Sequence, residues 1–187
     1  MKIIGLSGTF AAGKDTLADY LSNKHGFLHV STSDIVRHVA QEQRGDTHRS
    51  VLFEVANQLR DERGGGVLVE MAIEESQQTE QEHDGLVISG IRSIGEVESL
   101  HQANGEMIFV DADQRIRYER AYSRKRSGED SLSFEEFIET EKKELEKPMH
   151  NKTDQNIAGV KELSDHILDN SDTVQELTDS FDELGIL

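Results

Sequence analysis

The chain has 187 residues, no cysteine, 20 Lys and Arg against 37 Asp and Glu, and a formal charge of −17. That length suits one domain with a sizeable core, and the absence of cysteine excludes a disulfide framework and a thiolate metal site. The acidity excludes a general nucleic-acid surface, which needs clustered Lys and Arg, and no apolar run is long enough for a signal peptide or membrane span, so a cytoplasmic protein with no nucleic-acid and no membrane partner is expected.

The first apolar run, Ile3, Ile4 and Leu6, reads as a strand, and Leu17, Tyr20 and Leu21 give a helical apolar face shortly after it. Between them lies G-T-F-A-A-G-K-D-T, residues 8–16. A glycine-framed loop between strand and helix is a phosphate cradle, because successive backbone N–H groups and the helix N-terminus converge on an anion and the lysine adds a mobile positive charge. Gly8, Thr9, Phe10, Ala11, Ala12, Gly13, Lys14, Asp15 and Thr16 are therefore the predicted nucleotide-binding residues. The usual pattern places Ser or Thr directly after the lysine to hold Mg²⁺. Here Asp15 stands there and the hydroxyl comes one place later, at Thr16, so Thr16 is the expected metal residue, with Asp15 approaching the metal through water.

Further short apolar runs at 27–30, 86–88, 107–110 and 167–168 alternate with longer helix-like segments. Buried parallel strands look like this, and the alternation predicts an α/β fold with five parallel strands and right-handed crossovers. More than fifty residues separate the second and third runs, with Val51, Leu52, Val55 and Leu59 at helical spacing before the triplet Gly64, Gly65, Gly66. This exceeds a simple crossover. Capping-box spacing marks helix starts at Ser133 with Glu136 and Thr173 with Glu176, Pro148 stops the helix over 134–147, and Val174, Leu177, Phe181 and Leu184 form the stripe of the last helix.

Three further segments carry a resemblance. S-T-S-D-I-V-R (31–37) follows the second strand, I-S-G-I-R (88–92) ends the third, and D-A-D-Q-R-I-R-Y-E-R-A-Y-S-R-K-R (111–126) follows the fourth, concentrating arginine in an acidic chain. With the loop at 8–16, these resemble the nucleoside-monophosphate kinases and dephospho-CoA kinases, and most closely an archaeal-type group of kinase-like P-loop proteins, over nearly the whole chain. The resemblance implies a P-loop NTPase fold of three α/β/α layers, with an inserted acceptor-binding lobe at about 34–66 and a lid at about 115–155 in one domain. It also implies ATP and Mg²⁺ as cofactors and a nucleotide-type small molecule as acceptor; a monomer and a homodimer are both compatible with it.

By the same resemblance Asp34, Arg37 and Arg92 hold the acceptor, while Lys14, Arg92, Arg120 and Arg124 stabilise the transferring phosphoryl group. Asn170, in I-L-D-N-S (167–171), edges the adenine pocket. The arginines have a physical rationale, since a phosphate is best held by charge-assisted, bidentate donors at the carboxyl ends of strands. At helical spacing Arg117, Arg120 and Arg124 share one face. Two departures stand out: Ser33 replaces a glycine, and Ser89 replaces the acidic residue that ends the third strand, with Asp15 and Asp111 as candidate substitutes. A phosphate acceptor needs no base, whereas in a dephospho-CoA-type reaction Asp34 would deprotonate a sugar hydroxyl.

Two readings of other classes compete. Asp61-x-x-Gly64 and Asn151-Lys152-x-Asp154 match patterns of GTP-binding switch proteins, but neither ends an apolar strand as those patterns require. A nucleotide-binding regulatory module without transfer activity would keep the loop and dispense with Arg92 and the lid arginines.

Overall fold

The computed structural model describes residues 1–123, 133–145 and 154–187. Five strands, β1 (Lys2–Gly8), β2 (Phe27–Ser31), β3 (Gly85–Ser89), β4 (Glu106–Asp111) and β5 (His166–Asp169), form one parallel sheet in the order β2-β3-β1-β4-β5. The five parallel strands predicted from the apolar runs are all present.

Helix α1 (Lys14–His25) joins β1 to β2 and stops at Gly26, whose left-handed φ of 66° a side chain would resist. The long segment between β2 and β3 holds three helices, α2 (Thr32–Arg44), α3 (Arg49–Arg63) and α4 (Val67–Gln78). They pack on one another, and α4 in turn lies on α5 (Ile94–Gln102). After β4 come α6 (Gln114–Ser123), α7 (Phe134–Leu145) and α8 (Ile157–Glu162), and α9 (Val174–Asp182) closes the chain.

Side chains alternate across a strand, and the alternation builds two cores. Ile3, Val30, Leu86, Ile88, Met107 and Phe109 face the layer of α2 to α5 and α8; Ile4, Leu6, Val87, Ile108, Val110 and Leu168 face α1 and α9. The three-layer α/β/α fold follows, and a strand with apolar residues on both faces has no polar side to offer solvent.

The last helix buries Leu177 and Phe181 as its stripe predicts, whereas Val174 stays 56 % exposed. Val174 opens the helix just past the carboxyl end of β5, where no sheet lies beneath it. Both expected capping boxes form, with Glu136 and Glu176 each accepting from the backbone N–H of its N-cap residue. Of the glycine triplet, Gly65 and Gly66 are packed: a Cβ on Gly66 would stand 2.5 Å from the Ser99 Cβ, and one on Gly95 2.8 Å from Gly65. Asp61 lies within α3, so the GTPase-like Asp61-x-x-Gly64 match has no strand end to serve. Pro148, Asn151 and Lys152 lie outside the described residues. Among those described, no helix is long and apolar enough to cross a membrane.

Candidate functional site

The loop between β1 and α1 is built for close backbone approach. Ala11 (φ 60°) and Gly13 (φ 96°) are left-handed, and Gly13 is the N-cap of α1 with no side chain capping it. Such alternation turns successive N–H groups toward one concavity at the positive end of a helix. A Cβ on Gly13 would sit 2.2 Å from Asn170 Nδ2, and one on Gly8 2.3 Å from the Val110 carbonyl. The loop is thus wedged against β4 and the segment after β5, and any residue but glycine at those two places would push it out. Lys14 and Thr16 open α1 at the mouth of the cradle, with the Lys14 Nζ 2.5 Å from Asp15 Oδ1.

Asn170 follows β5. It is 3 % exposed, its Nδ2 donates to the Ala12 carbonyl at 2.7 Å, and its backbone N–H donates to the Asp111 carbonyl at 2.7 Å. It braces the loop from behind, while its Oδ1 is buried with no partner. Arg120, reaching from α6, donates to the Asn170 carbonyl at 2.7 Å, so the loop after β5 and α6 meet beside the cradle.

Arg117, expected on the same face of α6, is 3 % exposed and turned inward. Its guanidinium binds both oxygens of Glu141 on α7 and donates to the Ala112 carbonyl at 2.8 Å. The shared helical stripe is real, but α7 covers its first arginine with a carboxylate, leaving Arg120 as the described residue of that stripe beside the loop. Arg124 lies outside the described residues.

Asp111 does not replace the acid missing from β3. It follows Phe109 on the face toward α8, whereas Ser89 follows Val87 on the face toward α1. Its carboxylate accepts from Thr9 Oγ1 at 2.7 Å, from Lys161 Nζ at 2.5 Å and from its neighbour's N–H (Ala112) at 2.9 Å. Half-burial alone would raise its pKa; these bonds outweigh it and hold the group below the usual carboxylate range. Asp111 therefore anchors the loop to β4. Beside it, on the α8 face, lies a cavity of about 610 Å³ that includes Thr9, Phe109 and Lys161.

The sequence does not announce the partner of Ser89. His29 on β2 places Nε2 2.8 Å from Ser89 Oγ. Burial pushes the His29 pKa down, against an upward pull from Asp15, Asp19 and Asp34, and Lys14 adds to the fall. In place of the acid of the kinases it resembles, β3 ends on a serine bonded to a neutral histidine of β2. Alternation and the parallel register of the sheet bring His29 and Ser89 to one face of adjoining strands.

Arg37, on α2, and Arg92, in the loop before α5, follow those same strands. The Thr32 hydroxyl donates to the Gly90 carbonyl at 2.9 Å, joining the start of α2 to the loop after β3. Both arginines are exposed; Arg37 ion-pairs with Asp34 one turn before it. Among the described residues no cluster of three or more His, Asp or Glu would hold a metal by itself.

Residues 4–147 match the model of a family described as "AAA domain". A UPF0200 protein of Pyrobaculum aerophilum is 34 % identical over 147 residues, covering 78 % of each chain. The chain belongs to the UPF0200 group of P-loop, kinase-like proteins. A UPF0200/UPF0201 protein of Archaeoglobus fulgidus is 31 % identical over 147 residues; these cover 77 % of this chain and 45 % of that relative, so the chain matches under half of its length. Among solved structures, a shikimate kinase of Bacteroides thetaiotaomicron superposes with a TM-score of 0.61 at 17 % identity over 100 % of this chain and 99 % of the other. A Thermus thermophilus protein, TT1252, gives 0.60 at 20 % over 98 % and 95 %. These likenesses are of fold: this UPF0200 chain has the P-loop kinase architecture.

Proposed function

We propose that the chain is an ATP- and Mg²⁺-dependent phosphotransferase acting on a nucleoside monophosphate. The observation that supports this reading is a pair of exposed arginines that follow adjoining strands, Arg37 on α2 after β2 and Arg92 in the loop after β3, the strand beside β1 and its phosphate loop. Open α/β sheets bind ligands at that edge.

The cradle fits a nucleotide: its helix start is uncapped and its glycines admit close backbone approach. Bound ATP would supply the phosphoryl group and Mg²⁺ would neutralise its oxygens. The loop N–H groups would hold the donor phosphates, Lys14 would leave Asp15 to meet the transferring charge, and Thr16, with Asp15 through water, would face the metal. Arg37 would exchange Asp34 for the acceptor phosphate, with Arg92 binding it from the other strand end. Arg120, and Arg124 beyond it, would close over the phosphates. Positioning and electrostatics supply the catalysis, and closure keeps water from competing with the acceptor.

The test is ADP production from Mg-ATP with a panel of ribo- and deoxynucleoside monophosphates and dephospho-CoA, with Lys14→Ala as the blank. One monophosphate far above the rest supports the reading. Turnover with dephospho-CoA alone would move the reaction to a hydroxyl acceptor and make Asp34 the base. ATP binding without acceptor-dependent turnover would leave a regulatory module.

A further inference from the structure

Arg60 of α3 and Glu96 of α5 form an ion pair buried on both sides, with side chains 3 % and 0 % exposed. Arg60 reaches Glu96 Oε1 through Nη2 at 2.9 Å and Nε at 3.3 Å. The other carboxylate oxygen, Oε2, accepts the backbone N–H of Arg92 at 2.7 Å and of Ser93 at 3.1 Å. One oxygen thus faces the inserted lobe and the other faces the loop after β3.

That loop is held from its other side as well. The Arg92 carbonyl accepts from the Asn156 N–H at 2.7 Å, and the Ser93 hydroxyl donates to the Gly65 carbonyl at 3.4 Å, in the turn between α3 and α4. The backbone of Arg92 is fixed in both directions while its side chain stays exposed.

We propose that Arg60 is a positioning residue for the acceptor site: through Glu96 it fixes the backbone of Arg92 and ties the inserted lobe to it. The inference rests on the kinase reading of Arg92. Two observations set the pair apart from ordinary packing. A buried ion pair is often no more stable than apolar residues of the same volume. This one also leaves Arg60 Nη1 buried without a partner, a cost that an apolar pair would avoid. What the pair supplies is a carboxylate whose second oxygen is aimed at the Arg92 and Ser93 amides.

The experiment compares the full chain with Arg60→Met, Arg60→Lys and Glu96→Gln, all checked for cooperative unfolding. Amide hydrogen exchange is read at Arg92 and Ser93, and steady-state kinetics are run with adenosine, cytidine, guanosine and uridine monophosphates as acceptors. Arg60→Met is expected to speed exchange at both amides at least tenfold and to raise the acceptor KM about tenfold with the ATP KM within twofold, and Arg60→Lys to recover most of both. Should Arg60→Met fail to fold, Glu96→Gln, which keeps volume and removes charge, carries the same readouts. Unchanged exchange at the two amides in a folded variant, or ATP and acceptor KM rising together, would overturn the proposal. If the unaltered chain turns over neither these four nor the deoxynucleoside monophosphates, the kinase reading fails on its own and the exchange rates decide the clamp.

Discussion

His29 Nε2 lies 2.8 Å from Ser89 Oγ, so the strand end next to the phosphate loop carries a neutral hydrogen-bonded pair. Burial keeps the folded imidazole neutral, whereas the unfolded chain takes up a proton near pH 6.5. Above that pH the ring costs nothing; as pH falls through it, the unfolded state binds the extra proton and stability drops. Denaturant midpoints of the unaltered chain should fall between pH 7.5 and 5.5 more steeply than those of His29→Asn. Ser89→Asp should weaken or reverse that slope, because a carboxylate there favours the imidazolium. Equal slopes for all three would refute the assignment.

Asp111 acts lower on the pH scale. Its folded pKa is depressed, so its bonds to Thr9 and Lys161 stabilise the fold above the unfolded carboxylate value near 3.9 and are lost as pH falls toward the folded value. Asp111→Asn should remove part of the acid sensitivity below about pH 4 and loosen the loop, read as weaker ATP binding by calorimetry.

Asn170 braces the phosphate loop through the Ala12 carbonyl. Asn170→Ala should reduce ATP affinity about tenfold, equivalent to about 1.4 kcal/mol, near what a neutral hydrogen bond contributes. Gly13→Ala should do more, since its φ of 96° and the 2.2 Å approach of Asn170 Nδ2 both oppose a side chain. Isothermal titration separates the two, and equal affinities for Asn170→Ala and the unaltered chain would rule the brace out.

Arg117 and Glu141 differ from the arginines of the site in being buried. Arg117→Met leaves a buried carboxylate unpaired and should cost about 3–5 kcal/mol, or roughly 10 °C in Tm. Arg92→Ala, at an exposed position, should hardly change Tm and should lower turnover about 10²–10³-fold. Calorimetry and kinetics on the two variants would show this crossed pattern; a catalytic loss without a Tm change in Arg117→Met would contradict it.

The phosphate loop, the five strands and both capping boxes could be read before any coordinate because each is local. A glycine-lysine loop between a strand and a helix, a run of Val, Ile and Leu, and a Ser or Thr three residues before Glu each encode their own geometry over fewer than ten residues. The division of labour among polar residues could not be read this way. Arg117 and Arg120 share a helix face in sequence, yet Glu141, 24 residues beyond Arg117, covers one and leaves the other beside Asn170. Asp111 and Ser89 both end strands beside β1, and only the pleat of the sheet sends them to opposite faces. His29 meets Ser89 across 60 residues, and Arg60 meets Glu96 across 36. The sequence by itself determined which local elements form, the glycine-lysine loop between β1 and α1 among them. Which charged side chains face that loop, and which are spent holding the fold, was decided by pairing between distant segments, since burial and hydrogen-bond partners depend on what tertiary packing brings alongside.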